Sequence, residues 1–169
     1  MLMAVWMVQR LTREINSLEK RAMDVRIRLT NHQKYASTLG GSSVLTLNNI
    51  AGLSANLLPR ATMFAQYSDQ ASSMSAMQNL QAMKMMGRVP ITGNPMQQYQ
   101  IEMSAFKQFK EEALKAAKKQ EAAILNEKEK EIQLELNDIQ MRIKMKQAQL
   151  TAYKEQTNKE AAEWAPKFA

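Results

Sequence analysis

The sequence predicts an all-α protein with a long helix at each end. Turn-forming residues are scarce, with 5 glycines and 4 prolines in 169 residues, and aromatic residues make up only 6%. Straight-chain helix formers dominate instead, and nothing in the pattern favours a sheet. Apolar residues recur at spacings of three and four near both ends. We expect the two terminal helices to pair as a coiled-coil-like hairpin around one or two shorter helices.

The first segment, residues 1–39, carries the most regular pattern. Its apolar positions follow spacings of three and four without a break, with arginine, glutamate and lysine on the outer positions. Such a heptad seam is typical of a helix with a coiled-coil partner, in the same chain or in another subunit. The single histidine, His32, falls on the seam, where setting the register is the favoured role. Gly40 and Gly41 end the predicted helix.

The middle segment, residues 40–95, is predicted to hold two shorter helices and a turn. A serine caps the first helix, which Pro59 interrupts. The second helix runs from about 61 to 86 and ends at Gly87. Two prolines, a glycine and an asparagine then make residues 88–95 a connecting turn.

This middle segment is poor in charge. Between positions 36 and 83 only Arg60 and Asp69 are charged. A soluble helix normally carries a charged outer face. We therefore expect neighbouring subunits to cover much of this methionine- and serine-rich segment.

The last segment, residues 96–169, predicts one helix of about 65 residues, since no glycine or proline interrupts it before its end. Its second half keeps a heptad phase that Lys146 interrupts. Glu127, Glu131 and Glu135 form a row of like charges one turn apart, and arginines of the first helix are the simplest partners for them. The three segments are expected to form one structural unit.

Residue types needed for most catalytic and metal sites are missing. The chain has no cysteine and one histidine, and it lacks the glycine-rich phosphate-binding motifs. We therefore expect no enzymatic activity, no cofactor, no metal and no small-molecule substrate.

The net charge of +7 is spread unevenly along the chain. The longest segment is nearly balanced, and acidic residues alternate with the basic ones near the front. A nucleic-acid binder usually concentrates basic charge on one face, so nucleic acid is a disfavoured partner. A nucleic-acid-associated structural protein stays a third hypothesis, for which binding would weaken steeply with salt.

The N-terminal stretch, residues 1–8, is apolar but has no basic residue before it and no cleavage motif. It does not match a cleavable secretory signal. No window is apolar and long enough to cross a membrane. The location is therefore unassigned, and export without a cleaved signal stays open.

The leading hypothesis is a self-assembling structural subunit whose copies pack into a filament, tube or particle. In outline this architecture resembles the filament subunits of flagella and type III secretion systems, whose terminal helices form an inner tube. The predicted assembly contacts are Leu2, Val5, Trp6, Leu11, Ile15, Leu18, Val25, Leu29, Met63, Tyr67, Met74, Met77, Ile132, Leu136, Ile139, Ile143 and Leu150.

The alternative hypothesis is a helical adaptor or chaperone-like module. Its methionine-rich face would bind a protein partner or a membrane surface, because methionine repacks easily against different partners. A soluble monomer or dimer at micromolar concentration would favour this hypothesis, and large polymers would favour self-assembly.

Overall fold

A computed structural model describes residues 2–40 and 52–164, which form three helices. Helix α1 is Leu2–Gly40, α2 is Leu58–Met85 and α3 is Pro95–Trp164. The described residues contain no strand, so the predicted all-α class is confirmed. Helix α1 matches the predicted segment 1–39 to within a residue at each end, and α3 begins one residue before the predicted segment and has 70 residues where about 65 were expected.

Proline sets the start of both later helices. Pro59 lies in the first turn of α2, where its missing N–H removes no helical hydrogen bond. It therefore helps to open α2, which begins slightly earlier than predicted. Pro95 opens α3 in the same way, and the side chain of Asn94 accepts a hydrogen bond from the Met96 N–H at 3.0 Å. The short helix predicted to precede Pro59 falls mainly on residues 41–51, outside the described residues.

The chain divides into two compact units. The first comprises Met1–Thr30 and Glu129–Ala169, and the second comprises Asn31–Lys128. Both α1 and α3 contribute to each unit, so the units do not follow the three predicted segments.

The core of the first unit lies between α1 and α3. Two buried residues of α1, Ala22 and Val25, pack with Ile132 and Ile139 of α3. Half-buried side chains extend this cluster along both helices: Leu18, Leu29, Leu136 and Ile143. On each helix the four positions follow the spacing four, three, four, which keeps them on one face.

Ion pairs flank this core and show that the two helices run in opposite directions. Glu14 pairs with Lys146 at 2.8 Å, and Arg28, two heptads later on α1, pairs with Glu135 at 2.7 Å. Glu135 also accepts a hydrogen bond from Arg21 at 3.1 Å. The glutamate row predicted to meet arginines of the first helix therefore does so at Glu135.

The core of the second unit joins the end of α1 to α2 and α3. Its buried residues are Tyr35 and Leu39 of α1, Leu57 and Ala61 at the start of α2, and Leu125 of α3. Each of the three helices thus supplies apolar side chains to one cluster. This packing positions α2 in the second unit.

Candidate assembly surface

The inner face of α2 consists of small residues. The buried positions of this helix are Ala61, Ser68, Ser72 and Ala76. Small side chains let two helices approach closely, because little side-chain volume separates their backbones.

All three charged residues of α2 are paired with α3. Arg60 pairs with Glu121 at 2.7 Å and Asp69 with Lys110 at 2.9 Å. The third residue, Lys84, pairs with Glu102 at 2.5 Å. The residue numbers of the partners on α3 decrease as the residue numbers on α2 increase, so the two helices are antiparallel. This arrangement leaves no unpaired formal charge on α2.

The outer face of α2 is an uncharged stripe at heptad spacing. The large members Met63, Tyr67, Met74 and Met77 are each 57–63% exposed. The stripe, called here the outer stripe of α2, consists of Met63, Tyr67, Gln70, Met74, Met77 and Gln81. Successive members are four and three residues apart, and at about 100° per residue they lie opposite the buried small residues. All six positions are solvent-exposed in the described part of the chain.

A half-buried polar cluster lies at the start of α2. Arg60 donates two hydrogen bonds to Glu121, from Nε to Oε1 at 2.7 Å and from Nη2 to Oε2 at 3.0 Å. The hydroxyl of Tyr35, a fully buried residue, donates to the same carboxylate at 3.1 Å. One residue from each helix therefore meets at one point, and this sets the rotation of α2 about its axis.

The electrostatics of this cluster follow from its geometry. The hydrogen bonds from Arg60 lower the pKa of Glu121, although burial acts in the opposite direction. Burial and the neighbouring Glu121 carboxylate raise the pKa of Tyr35. The bonds to Glu121 likewise raise the pKa of Arg60. The cluster therefore holds one carboxylate, one guanidinium and one neutral phenol over the neutral pH range.

Many of the predicted assembly contacts are buried within the chain. The fully buried ones in the first unit are Leu11, Ile15, Val25, Ile132 and Ile139, and the half-buried ones are Leu18, Leu29, Leu136, Ile143 and Leu150. Because packing inside the unit already covers most of their surface, they are poorly available to another copy. Fewer of the predicted contact residues are therefore exposed than the sequence suggested.

The predicted contacts at the N-terminus are accessible. Val5 and Trp6 are exposed, and the guanidinium of Arg10 lies 5.6 Å from the centre of the Trp6 ring. The side chain of Leu2 lies outside the description. An exposed tryptophan beside an arginine combines two residue types that are enriched at protein interfaces.

Further exposed apolar residues occur in the first unit, and the sequence analysis did not identify them as contacts. They are Met23 and Ile27 of α1, with Leu134, Met141 and Met145 of α3. A heptad pattern identifies one apolar face of a helix. Apolar residues on a second face, where the spacing is less regular, are therefore not predicted. These positions lie outside the core seam of the unit and enlarge its apolar surface.

The described residues hold no group of three or more histidine, cysteine, aspartate or glutamate side chains placed to bind a metal ion. None of the described helices has a window apolar enough to span a bilayer.

Comparisons with known proteins do not assign the chain to a family. No protein-family model matches the chain, and neither a curated protein nor a solved structure matches it.

Proposed function

We propose that the protein is a structural subunit that associates with copies of itself into a filament, tube or particle. The observation that carries this proposal is the outer stripe of α2. Its exposed methionines and tyrosine would gain about 25 cal/mol for each Å² of apolar surface removed from water. An exposed soluble helix usually carries charge on this side, and α2 carries none.

The outer stripe is best suited to pack against α2 of a second copy of the chain. Because the stripe has no charge, the same face on two copies can meet without like-charge repulsion. Antiparallel pairing about position 72 would place Met63 against Gln81 and Tyr67 against Met77. It would also place Gln70 against Met74. Every layer then contains at least one methionine, which adapts its shape to its neighbour.

The size of the stripe favours a polymer over an isolated dimer. A face about 27 Å long and about 10 Å wide offers roughly 300 Å². A stable interface typically buries about 800 Å² on each partner. The stripe therefore needs help from other exposed apolar residues, such as Trp6, Met23 and Met141. In a repeating assembly, each copy makes several small contacts of this kind with its neighbours.

We also propose that α1 and α3 form a coiled-coil-like hairpin in the first unit. Support comes from the spacing of four, three, four that the core residues of both helices share. Ion pairs such as Glu14–Lys146 beside an apolar seam are a further coiled-coil feature. Lys146, which interrupts the apolar phase of the sequence, would serve in this arrangement as a flanking partner.

The decisive variant is Met74→Glu, at the middle of the outer stripe. Met74 is 62% exposed, so the substitution should leave the fold intact while placing a charge in every proposed α2–α2 contact. Ala116→Glu is the matched control, because it adds the same charge at an exposed position of α3 that lies among charged neighbours.

Sedimentation velocity and negative-stain microscopy provide the measurement. We expect the unmodified chain and Ala116→Glu to form large assemblies and Met74→Glu to sediment as a small species. Equal assembly of all three chains would overturn the role of the stripe. A monomer for the unmodified chain at micromolar concentration would instead favour an adaptor that uses the methionines to bind a different protein.

A further inference from the structure

A second apolar surface lies at the turn between α2 and α3. Two of its side chains, Ile91 at 94% and Met85 at 90%, are the most exposed of the large apolar residues described. The surface, called here the turn patch, consists of Met85, Met86, Ile91, Met96 and Tyr99, all of them exposed. From its prolines, glycine and asparagine, the sequence predicts only a connecting turn in this region.

The turn patch is nearly free of charge, and its one charge is positive. Between positions 85 and 101 the only formally charged residue is Arg88, which is exposed. The nearest charges on either side, Lys84 and Glu102, form an ion pair with each other. The patch therefore presents apolar side chains together with a single cation.

Four backbone N–H groups of the turn donate hydrogen bonds to partners inside the protein. The N–H groups of Met86, Gly87 and Arg88 donate to carbonyls in the last turns of α2. The Thr92 N–H donates to the side chain of Gln98 at 3.0 Å, and two prolines in the turn have no N–H. Satisfied donors lower the cost of moving a turn out of water.

The shape of the patch distinguishes among partners. Side chains as exposed as Ile91 and Met85 project into solvent, so a protein partner would need a pocket shaped to receive each of them. Acyl chains can surround a projecting side chain without a preformed pocket. Tyr99 adds an aromatic ring with a polar tip, which suits the boundary between acyl chains and water.

We propose that the turn patch inserts into the interfacial layer of a lipid bilayer and that Arg88 gives it a preference for anionic lipid. This interaction goes beyond the proposed assembly and does not depend on it. A cation near an anionic surface is worth about 1 kcal/mol, or roughly a fivefold gain in binding.

Vesicle flotation with the full chain tests the proposal. The probes are phosphatidylcholine vesicles with and without phosphatidylserine. We expect Ile91→Asp to weaken binding at least about tenfold, because it removes a large apolar side chain and adds an anion. Ala116→Asp, which adds the same anion at an exposed position of α3, is the control and should bind normally. Arg88→Gln should lose roughly fivefold on the anionic vesicles only.

An environment-sensitive fluorophore tests insertion directly. The chain has no cysteine, so Ile91→Cys and Ala116→Cys each provide one labelling site. The label at position 91 should shift to the blue with vesicles and be quenched by brominated acyl chains, whereas the label at 116 should not change.

Three results would overturn this proposal: no flotation of the unmodified chain, equal loss of binding in Ile91→Asp and Ala116→Asp, or no spectral shift at position 91. Sedimentation without vesicles separates the outcome from that of the assembly proposal. Ile91→Asp should assemble normally there, and loss of assembly would identify the patch as a contact between protein copies.

Discussion

Arg60 of α2 holds Glu121 of α3 through two hydrogen bonds of 2.7 and 3.0 Å. The side chain of Glu121 is only 11% exposed, so its carboxylate depends on Arg60 and Tyr35 for solvation. Because these residues come from three different helices, the contact restrains the rotation of α2 about its axis. The exposed methionines of α2 lie on the side opposite its buried small residues.

Removing this arginine should destabilise the second unit. We expect Arg60→Ala to lower the free energy of unfolding by about 1–3 kcal/mol, because a mostly buried carboxylate loses its cation. Urea denaturation followed by circular dichroism measures the change. Arg142→Ala is the control, since its ion pair with Asp138 is more than half exposed on both sides and should contribute under about 1 kcal/mol. Equal effects would contradict the account.

Acid should weaken the same contact. The pKa of Glu121 is lower in the folded chain than its ordinary value of 4.5, so the unfolded chain takes up this proton first as the pH falls. The contribution is present above pH 4.5 and is lost as the pH falls through the folded-state pKa. Between pH 7 and pH 3, the free energy of unfolding should fall less in Glu121→Gln than in the unmodified chain. An equal fall in both chains would show that the carboxylate is not stabilised by its partners.

Alkali should act through Tyr35. Its pKa is raised by burial and by Glu121, so the folded chain keeps the phenol protonated where the unfolded chain loses the proton. The stability contribution is therefore complete below the unfolded value of 10 and is lost at higher pH. Absorbance near 295 nm follows deprotonation of the tyrosines as the pH rises. The unmodified chain should show a deprotonation step at high pH that accompanies unfolding, and Tyr35→Phe should lack this step. A step for Tyr35 that precedes any unfolding would contradict this prediction.

The small residues of α2 should not tolerate enlargement. Ala76 is fully buried on the inner face, and Ala76→Leu would force α2 away from its packing partner. We expect a loss of about 1–3 kcal/mol in unfolding free energy. Ala71→Leu makes the same substitution at an exposed position of the same helix and should be nearly neutral. A neutral Ala76→Leu would show that the two helices do not pack closely at this position.

The helices were largely predictable because the spacing of apolar residues and the glycines and prolines at helix ends are local properties of the sequence. The heptad pattern predicts α1, and the lack of internal glycine and proline predicts α3, which Pro95 opens. Pro59 was misinterpreted, because a proline in the first turn of a helix and one that interrupts a helix look alike until the partner helix is known. The division into two units depends on contacts distant in sequence, which periodicity does not report.

The candidate surface was only partly predictable. The sequence marked Met63, Tyr67, Met74 and Met77 as contacts but could not say which face of α2 turns inward, because apolar and small residues cover it all round. Tyr35 was missed altogether. A signal existed in the few charged residues of α2, such as Arg60, since a lone charge in a charge-poor segment tends to have a specific partner.

A cysteine scan of α2 between residues 63 and 81 tests the central claim most directly, because the chain contains no other cysteine. Under mild oxidation, mixtures of two single-cysteine chains should form disulfides best when the two positions face each other in the proposed pairing, as Tyr67→Cys and Met77→Cys do, and poorly when one position lies off the stripe, as Ala71 does. The account predicts the highest yields for pairs of stripe positions that lie equally far on either side of position 72. Equal yields for all pairs, or no cross-linking between Gln70→Cys and Met74→Cys, would contradict it.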